Sequence, residues 1–225
     1  MAENELRMLL SAAGVAAELA ERLAAYGTLL LDANRRVNLT GAKDPAALVP
    51  HLLDALTLAG DVGDSLADVG SGGGLPGIPL ALATGARVAL IEPIAKKAAF
   101  LERALKELGI VGEVVAERAE IAGRDERRRE RFASATARAV ATAPTVAELT
   151  VPFLRVGGRA LLQRAAMGTA ERRALEDAAP MLGAAVIEER SLGGERRIVV
   201  LEKRQPTETR FPRRNGVPEK RPLCL

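Results

Sequence analysis

The chain has 225 residues, 48% of them hydrophobic, and a formal net charge of +3 at pH 7. This length suits one α/β domain or a small domain with an extension, and the apolar content is sufficient for a sizeable core. The chain has one cysteine, Cys224, which excludes an intramolecular disulfide. No run of 18 apolar residues occurs, so we expect no membrane-spanning helix. The polar N-terminal stretch is not that of a secretory signal, and it predicts a cytoplasmic protein.

The first 60 residues have the apolar spacing of amphipathic helices. From Val15 to Leu30, apolar side chains recur every three to four positions, which predicts one buried stripe along a helix. A further helix is predicted from Pro45 to Ala59. We therefore expect residues 1–60 to form a helical extension.

After Gly60, short apolar runs alternate with helical stretches, which favours a doubly wound, mainly parallel sheet over residues 61–204. The predicted strands are Leu66–Val69, Arg87–Ile91, Glu113–Ala116, Ser134–Arg138, Gly158–Leu162, Ala184–Glu188 and Ile198–Glu202. The predicted helices are Pro76–Ala83, Ala95–Leu108, Thr145–Leu154 and Thr169–Pro180. The last two strands follow one another across "RSLGGER" with no helix between them, so we expect an antiparallel hairpin there.

The C-terminal end of the chain is basic. Residues 203–225 carry seven basic and two acidic side chains, so this part is +5 and the rest of the chain is −2. Four prolines and no periodicity predict an irregular tail over residues 205–225. A basic tail favours an anionic partner such as nucleic acid. The alternative, that the tail folds back over the sheet and completes the cleft, stays open.

The segment "LADVGSGGGLPGIPLALA", residues 66–83, runs from a predicted strand through a glycine loop into a predicted helix. Ligands of open parallel sheets bind beyond the carboxyl ends of the strands, where glycine lets the backbone approach closely. Gly72, Gly74 and Gly77 match the dinucleotide spacing G-x-G-x-x-G, and Glu92 follows Gly72 by 20 positions. An NAD(P)-dependent oxidoreductase is therefore one interpretation.

Asp68 favours a different ligand. It ends the predicted strand two residues before Gly70, where a carboxylate would repel a pyrophosphate. It would suit S-adenosylmethionine, which carries a sulfonium and an ammonium group and no phosphate. Glu92 would then accept hydrogen bonds from the ribose hydroxyls. An S-adenosylmethionine-dependent methyltransferase is the preferred interpretation.

Several segments together resemble one family. In order and spacing, "NLTGAKDPAALVPHLLDALTL", "DVGSGGGLPGIPLALA", "LIEPIAKKAAFL", "ERAE" and "TARAVA" are similar to the bacterial RsmG (GidB) methyltransferases, and the resemblance spans residues 34–223. It implies a Rossmann-like methyltransferase fold and S-adenosylmethionine as cofactor. It also implies methylation of guanine N7 in a loop of 16S rRNA in the small ribosomal subunit, with no metal. We expect a monomer, and a non-catalytic rRNA-binding assembly factor is the remaining alternative.

The resemblance and the loop spacing together predict the site residues. The predicted cofactor contacts are Asp68, Gly70, Gly72, Gly74, Leu75, Glu92, Ala119, Glu120 and Arg138. The predicted catalytic residues are Arg138, beside the methyl-transfer site, and Asn38, His51 and Asp54 of the family's "NLT" and "H-x-x-D" elements. The predicted RNA contacts are Lys96, Lys97, Arg164, Arg213 and Arg214, where Arg164 stands at a position that is commonly lysine in the family.

Overall fold

The fold is described here from a computed structural model, which covers residues 1–138 and 141–225; Ala139 and Val140 of the "TARAVA" segment lie outside the described residues. Among the described residues there are seven strands: β1 Ser65–Val69, β2 Arg87–Ile91, β3 Gly112–Val115, β4 Phe132–Arg138, β5 Leu154–Ala165, β6 Ala184–Ser191 and β7 Arg196–Lys203. They form one sheet in the order β3-β2-β1-β4-β5-β7-β6.

The sheet is mainly parallel. Strands β3, β2, β1, β4 and β5 pair in parallel, whereas β7 runs antiparallel to both β5 and β6. The predicted doubly wound sheet and its antiparallel hairpin are both confirmed. The sequence did not indicate that β7 inserts between β5 and β6.

Helices cover both faces of the sheet. Their bounds are α1 Ala2–Ala12, α2 Ala17–Asn34, α3 Pro45–Leu56, α4 Gly77–Thr84, α5 Ala95–Glu107, α6 Ala119–Ala122, α7 Ala143–Thr150, α8 Thr169–Met181 and α9 Val217–Lys220. Short 3₁₀ turns follow α3 and α7, at Ala59–Asp61 and Val151–Phe153. In the part of the chain that the structure describes, no helix is long and apolar enough to cross a membrane.

Alternating strand residues separate two hydrophobic cores. The first core contains Leu66 of β1 and Leu90 of β2, together with residues of α1–α5. The second core contains their neighbours Ala67 and Ile91, together with residues of α6–α8. Because successive side chains of a strand point to opposite faces, each core occupies one face of the sheet. The N-terminal helices therefore pack directly on the sheet and share its first core.

The boundary between α7 and β5 differs from the prediction. A helix was expected from Thr145 to Leu154, but α7 ends at Thr150 and β5 begins at Leu154. Pro152 has no backbone N–H to donate to a preceding turn, which disfavours continuation of the α-helix. It lies in the 3₁₀ turn instead, and β5 extends over the positions that the prediction gave to the helix end and the following loop.

The C-terminal tail folds back onto the body. It is irregular apart from α9, and its Phe211 and Leu223 are buried in the second core. Phe211 lies in the same core as Phe153, which precedes β5. The position of the tail therefore agrees with the alternative interpretation, in which it folds back over the sheet.

Candidate active site

Residues 70–76 form the loop between β1 and α4, at the carboxyl end of β1. The backbone N–H groups of Gly70 and Ser71 donate to the carbonyl of Ile91 on β2, at 2.9 and 3.1 Å. Gly70 has φ +73° and Gly72 has φ +57°, a backbone region that other residues rarely adopt. The loop therefore depends on glycine at these two positions and presents bare backbone at the edge of the sheet.

Glu92, immediately after β2, braces this loop. One carboxylate oxygen accepts from the N–H of Gly72 at 2.9 Å, and the other accepts from the N–H of Ile94 at 2.8 Å. The side chain is 4% exposed. A carboxylate has about four lone-pair sites, so these two bonds leave acceptor capacity for a ligand's hydroxyl groups.

Asp68 lies beneath the loop. Its Oδ2 accepts from the N–H of Gly77, the first residue of α4, at 3.2 Å, and burial raises its pKa to about 7. In the described structure its Oδ1 has no hydrogen-bond partner. The expectation that this carboxylate faces the ligand is not supported, because Asp68 lies on the sheet face of Leu66, opposite Val69, which lines the cavity described next.

A cavity of about 310 Å³ opens beside the glycine loop, at the carboxyl ends of β1, β2 and β4. Its volume falls in the range of small-molecule sites. Gly70 and Gly72 contribute backbone, and a Cβ added at Gly70 would meet no atom within 4 Å. Of the predicted cofactor contacts, the cavity brings together Gly70, Gly72, Glu92, Ala119, Glu120 and Arg138.

Gly74 and Leu75 face the opposite side of the loop. A Cβ at Gly74 would lie 3.2 Å from the hydroxyl of Tyr26 on α2, and Leu75 is buried in the first core. Tyr26 donates its hydroxyl to the carbonyl of Gly73 at 2.7 Å, and burial raises its pKa well above the ordinary value. These loop residues are held by the N-terminal helices and do not line the cavity.

Ala119 and Glu120 are the first two residues of α6, the helix that follows β3, and both line the cavity. Both are largely buried. Oε1 of Glu120 accepts from the backbone N–H of Gly216 in the C-terminal tail, at 2.8 Å. The orientation of this carboxylate is therefore set by a residue 96 positions away in the chain.

Arg138 ends β4 and is half-buried at the cavity wall. Its positive charge acts on the pKa values of Asp68 and Tyr26, lowering both against the larger raising effect of burial. Arg138 therefore lies close to the glycine loop and also lines the cavity. Its place at the end of β4 agrees with the predicted strand, and its role beside the methyl-transfer site stays a prediction.

A second cavity, of about 420 Å³, adjoins the first. The two share Ala137, Ala141 and Val146 as wall residues. Arg164 lines the second cavity and pairs with Glu171, Nη2 to Oε1, at 2.6 Å. The same carboxylate oxygen also accepts from the N–H of Ala143 at the start of α7, so Arg164 is held at this wall.

The predicted residues Asn38, His51 and Asp54 do not line either cavity. Asn38 is exposed and His51 is half-buried on α3. Oδ1 of Asp54 pairs with Arg196 at 3.1 Å, and its carbonyl accepts from Nε2 of Gln163 at 2.8 Å. Of the three, Asp54 contacts a wall residue of the second cavity, Gln163. Their catalytic role stays a prediction.

The predicted RNA contacts differ in their solvent exposure and in whether their side chains form ion pairs within the fold. Lys96 and Arg214 are exposed, and Lys97 lines the first cavity. Arg213, in contrast, donates Nε and Nη2 to the carboxylate of Glu148 at 2.6–3.0 Å, and Glu148 is fully buried. Arg213 lines neither cavity, and its guanidinium also donates to the carbonyl of Arg221 at 2.8 Å. We therefore do not retain Arg213 as an RNA contact.

Several residues of the site were not predicted from the sequence. They are Arg118, Thr145, Val146, Leu149 and Glu219 at the first cavity, Gln163 and Glu171 at the second, and Glu148 behind α7. A lone carboxylate inside the apolar run "APTVAELTVPFL" was the one available signal for Glu148. Among the described residues there is no group of three or more His, Cys, Asp or Glu that could hold a metal ion.

Comparisons with known proteins show which family the chain resembles. The family model for rRNA small subunit methyltransferase G matches residues 19–200. Ribosomal RNA small subunit methyltransferase G of Rubrobacter xylanophilus is 48% identical over 214 residues, covering 87% of this chain and 80% of the relative. The protein of that name from Synechococcus elongatus is 39% identical over 207 residues, covering 86% of each chain.

Two solved structures share the fold. Thermus thermophilus 16S rRNA N2 G1207 methyltransferase, in complex with AdoMet and guanosine, aligns with a TM-score of 0.50 and 19% identity, over 71% of this chain and 40% of that one. Streptomyces coelicolor geranyl diphosphate C-methyltransferase, crystallised with S-adenosyl-L-homocysteine, aligns with a TM-score of 0.54 and 14% identity, over 72% of this chain and 81% of that one.

The sheet order and the likeness to these two structures define a Rossmann-like methyltransferase fold. The family match makes the chain a methyltransferase that uses S-adenosylmethionine. Within that class, the chain belongs to the rRNA small subunit methyltransferase G family. The two alternatives, an NAD(P)-dependent oxidoreductase and a non-catalytic assembly factor, find no support in these comparisons.

The residues of the first cavity fit such a cofactor. Bare backbone at Gly70 and Gly72 gives a ligand room at the carboxyl ends of β1 and β2. Glu92 offers acceptor oxygens for a pair of hydroxyls. Apolar side chains of Ile91 and Val146 provide a surface for a flat ring. The volume, the acceptors and the apolar wall all suit a nucleoside-containing ligand.

Proposed function

We propose that this chain methylates N7 of one guanine in a loop of 16S rRNA, as a cytoplasmic monomer. The observation that carries the proposal is the pair of adjoining cavities that share Ala137, Ala141 and Val146. A ligand in the first cavity and a base in the second would both lie against these shared residues, and so next to each other. Two reactants held in contact are what a methyl transfer requires.

The first cavity binds the cofactor, which supplies a methyl group on a positively charged sulfur. In this proposal Glu92 accepts hydrogen bonds from the ribose hydroxyls, while its bond to Gly72 keeps the loop in place. Ala119 and Glu120 border the adenine, where the small Ala119 side chain leaves room for a flat ring. Gly70 and Gly72 let the backbone approach the remainder of the cofactor.

The acceptor side needs positioning more than proton transfer. Guanine N7 carries an unprotonated lone pair, so no general base is required for its attack on the methyl group. Alignment of two reactants supplies roughly 7–11 kcal/mol of the barrier reduction. We assign this role to Arg138, whose guanidinium lies at the cavity wall and orients the base or its phosphate.

The RNA side uses arginine and lysine rather than aromatic rings. With one tyrosine and four phenylalanines in the chain, stacking on aromatic side chains has few candidates. An unstacked loop base can also be held on guanidinium planes. We propose that Arg164, fixed by Glu171 at the second cavity, serves this purpose. Lys96, Lys97 and Arg214 would contact phosphates around the opening.

The test is methyl transfer from labelled S-adenosylmethionine to small ribosomal subunits that lack the modification. We expect incorporation of one methyl group per subunit. Reduction and aniline treatment, which cleave RNA at N7-methylguanine, should then give a single break in 16S rRNA. Primer extension locates that break.

Arg35→Ala, an exposed change on the surface outside both cavities, serves as the matched control and should transfer at the parent rate. Incorporation without an aniline-sensitive site would contradict N7 as the acceptor atom. Cofactor binding without any incorporation would contradict the small subunit as substrate.

A further inference from the structure

The C-terminal segment, residues 205–225, is anchored to the body at its first half. Thr207 donates its hydroxyl to the carbonyl of Leu182 at 2.6 Å, and its N–H donates to Glu130 at 2.8 Å. The guanidinium of Arg129 donates to the carbonyls of Thr207 and Phe211, at 2.6 and 2.8 Å. This half of the segment is therefore a fixed part of the second core.

The middle of the segment is tied to α7 by a buried ion pair. Glu148 is fully buried and accepts from Nε, Nη2 and the backbone N–H of Arg213. A buried carboxylate without such partners would be strongly destabilising. Thr145 and Val146 of the same helix line the first cavity. The ion pair therefore fixes the helix that forms one cavity wall.

The last part of the segment reaches the cavity itself. The N–H of Gly216 donates to Glu120 at 2.8 Å, and the hydroxyl of Thr145 donates to the carbonyl of Pro218 at 2.9 Å. Glu219, at the third position of α9, lines the cavity alongside Glu120 and Arg118. Residues 216–219 therefore touch the cavity through one of their own side chains and through two wall residues.

We propose that residues 216–219 are part of the cofactor site: Gly216 and Pro218 position Glu120 and Thr145, and Glu219 contacts the cofactor directly. This inference rests on the proposed function for the identity of the ligand. It gives the basic tail a role in cofactor affinity, which the charge pattern alone did not indicate. Removing these residues lowers cofactor affinity without any RNA being present.

The decisive variant ends the chain at Asn215. It keeps Phe211 in the second core and the Arg213–Glu148 ion pair, but it removes the N–H of Gly216, the carbonyl of Pro218 and Glu219. It also removes Leu223 from the second core, so the melting temperature is measured alongside the Kd. We expect the Kd for S-adenosylhomocysteine, measured by calorimetry without RNA, to rise at least tenfold. A chain ending at Leu223, which keeps all of these contacts, is the matched control and should bind like the parent.

Glu219→Gln, a change at an exposed position, tests the same point should the shorter chain fail to fold. We expect its Kd to rise by roughly 3- to 10-fold, the effect of one weakened hydrogen bond, with the melting temperature unchanged. Arg204→Ala, at an exposed position directly after β7, should leave the Kd unchanged.

Parent-like Kd values in both test variants would overturn the inference while leaving the proposed function intact. Failure of the parent chain to bind S-adenosylhomocysteine would contradict the proposed function instead. If the shorter chain loses affinity for ribosomal subunits and retains cofactor affinity, the segment is an RNA contact and the inference is wrong.

Discussion

The carboxylate of Glu92 holds the backbone N–H of Gly72 at 2.9 Å, so the end of β2 fixes the loop that follows β1. The second oxygen of Glu92 holds Ile94, which directly precedes α5. A residue predicted from the sequence as a ribose ligand is therefore also a structural brace. Its replacement affects the loop and the ligand together.

For Glu92→Ala we expect cofactor affinity to fall by about 10- to 150-fold. A charge-assisted hydrogen bond contributes about 1.5–3 kcal/mol, which corresponds to that range. The melting temperature should also fall, because two backbone N–H groups lose their acceptor. Calorimetry and thermal unfolding give the two values. Glu107→Ala, on the exposed end of α5, is the control and should change neither.

Gly72→Val should abolish cofactor binding. The backbone of Gly72 has φ +57°, and a β-branched residue is strained there by roughly 1–3 kcal/mol. Gly85, which ends α4 with φ +73° and has open space around it, offers the matched control Gly85→Val. The melting temperature should fall by a similar amount in both variants, but only the change at Gly72 should prevent cofactor binding. Equal affinities in the two variants would show that the loop does not hold the cofactor.

Asp68 should make stability depend on pH. Its pKa is about 7 in the fold, above the ordinary 3.8 of a free side chain, because burial disfavours the charged form. Between these pH values the folded state keeps a proton that the unfolded state has released. The free energy of unfolding therefore falls as pH rises from about 4 to about 7, by on the order of 4 kcal/mol from this group.

Asp68→Asn removes this titration and keeps an oxygen for the N–H of Gly77. Relative to the parent, the variant should become progressively more stable between about pH 4 and pH 7, with no further change above that. Urea unfolding at four or five pH values measures the difference. A constant difference across the range would mean that Asp68 is not a raised-pKa group.

Arg138→Ala should lower the rate of methyl transfer by about 100-fold, the effect of a misplaced reactant. Cofactor affinity and melting temperature should change little, because the role assigned to Arg138 is on the acceptor side. Single-turnover kinetics with saturating cofactor and small subunits separate these quantities. A loss of cofactor affinity equal to the loss of rate would reassign Arg138 to the cofactor.

Phosphate contacts should appear in the salt dependence of subunit binding. On single-stranded RNA each contact contributes a slope of about 0.7 in log affinity against log salt. Lys96→Ala and Arg214→Ala, both at exposed positions, should each flatten the slope by about that amount. Arg35→Ala should leave the slope unchanged. If all three variants keep the parent slope, the RNA lies elsewhere on the surface.

Local patterns were sufficient for most of the fold. Apolar runs and their alternation with helical stretches located all seven described strands, with shifts at their ends. Strand ends that depend on tertiary pairing could not be predicted from the sequence. The start of β5 at Leu154 follows from its pairing with Phe132 of β4, which no local pattern reveals.

The candidate site was predictable where it depends on backbone and less so where it depends on side-chain direction. The glycine loop and Glu92 follow from spacing between consecutive strands. The direction of Asp68 depends on which face of β1 carries the ligand, and one position along a strand reverses it. Glu148 and Arg213 are 65 positions apart, so only the folded chain shows that they neutralise each other.

Tyr26 gives the loop a built-in optical signal. The chain has no tryptophan and one tyrosine, so ultraviolet emission of the unlabelled protein comes mainly from a single ring. The hydroxyl of that ring donates to the carbonyl of Gly73 inside the glycine loop. Tyrosine emission is sensitive to such a bond, and movement of the loop therefore alters the fluorescence of the native chain without any dye or engineered residue.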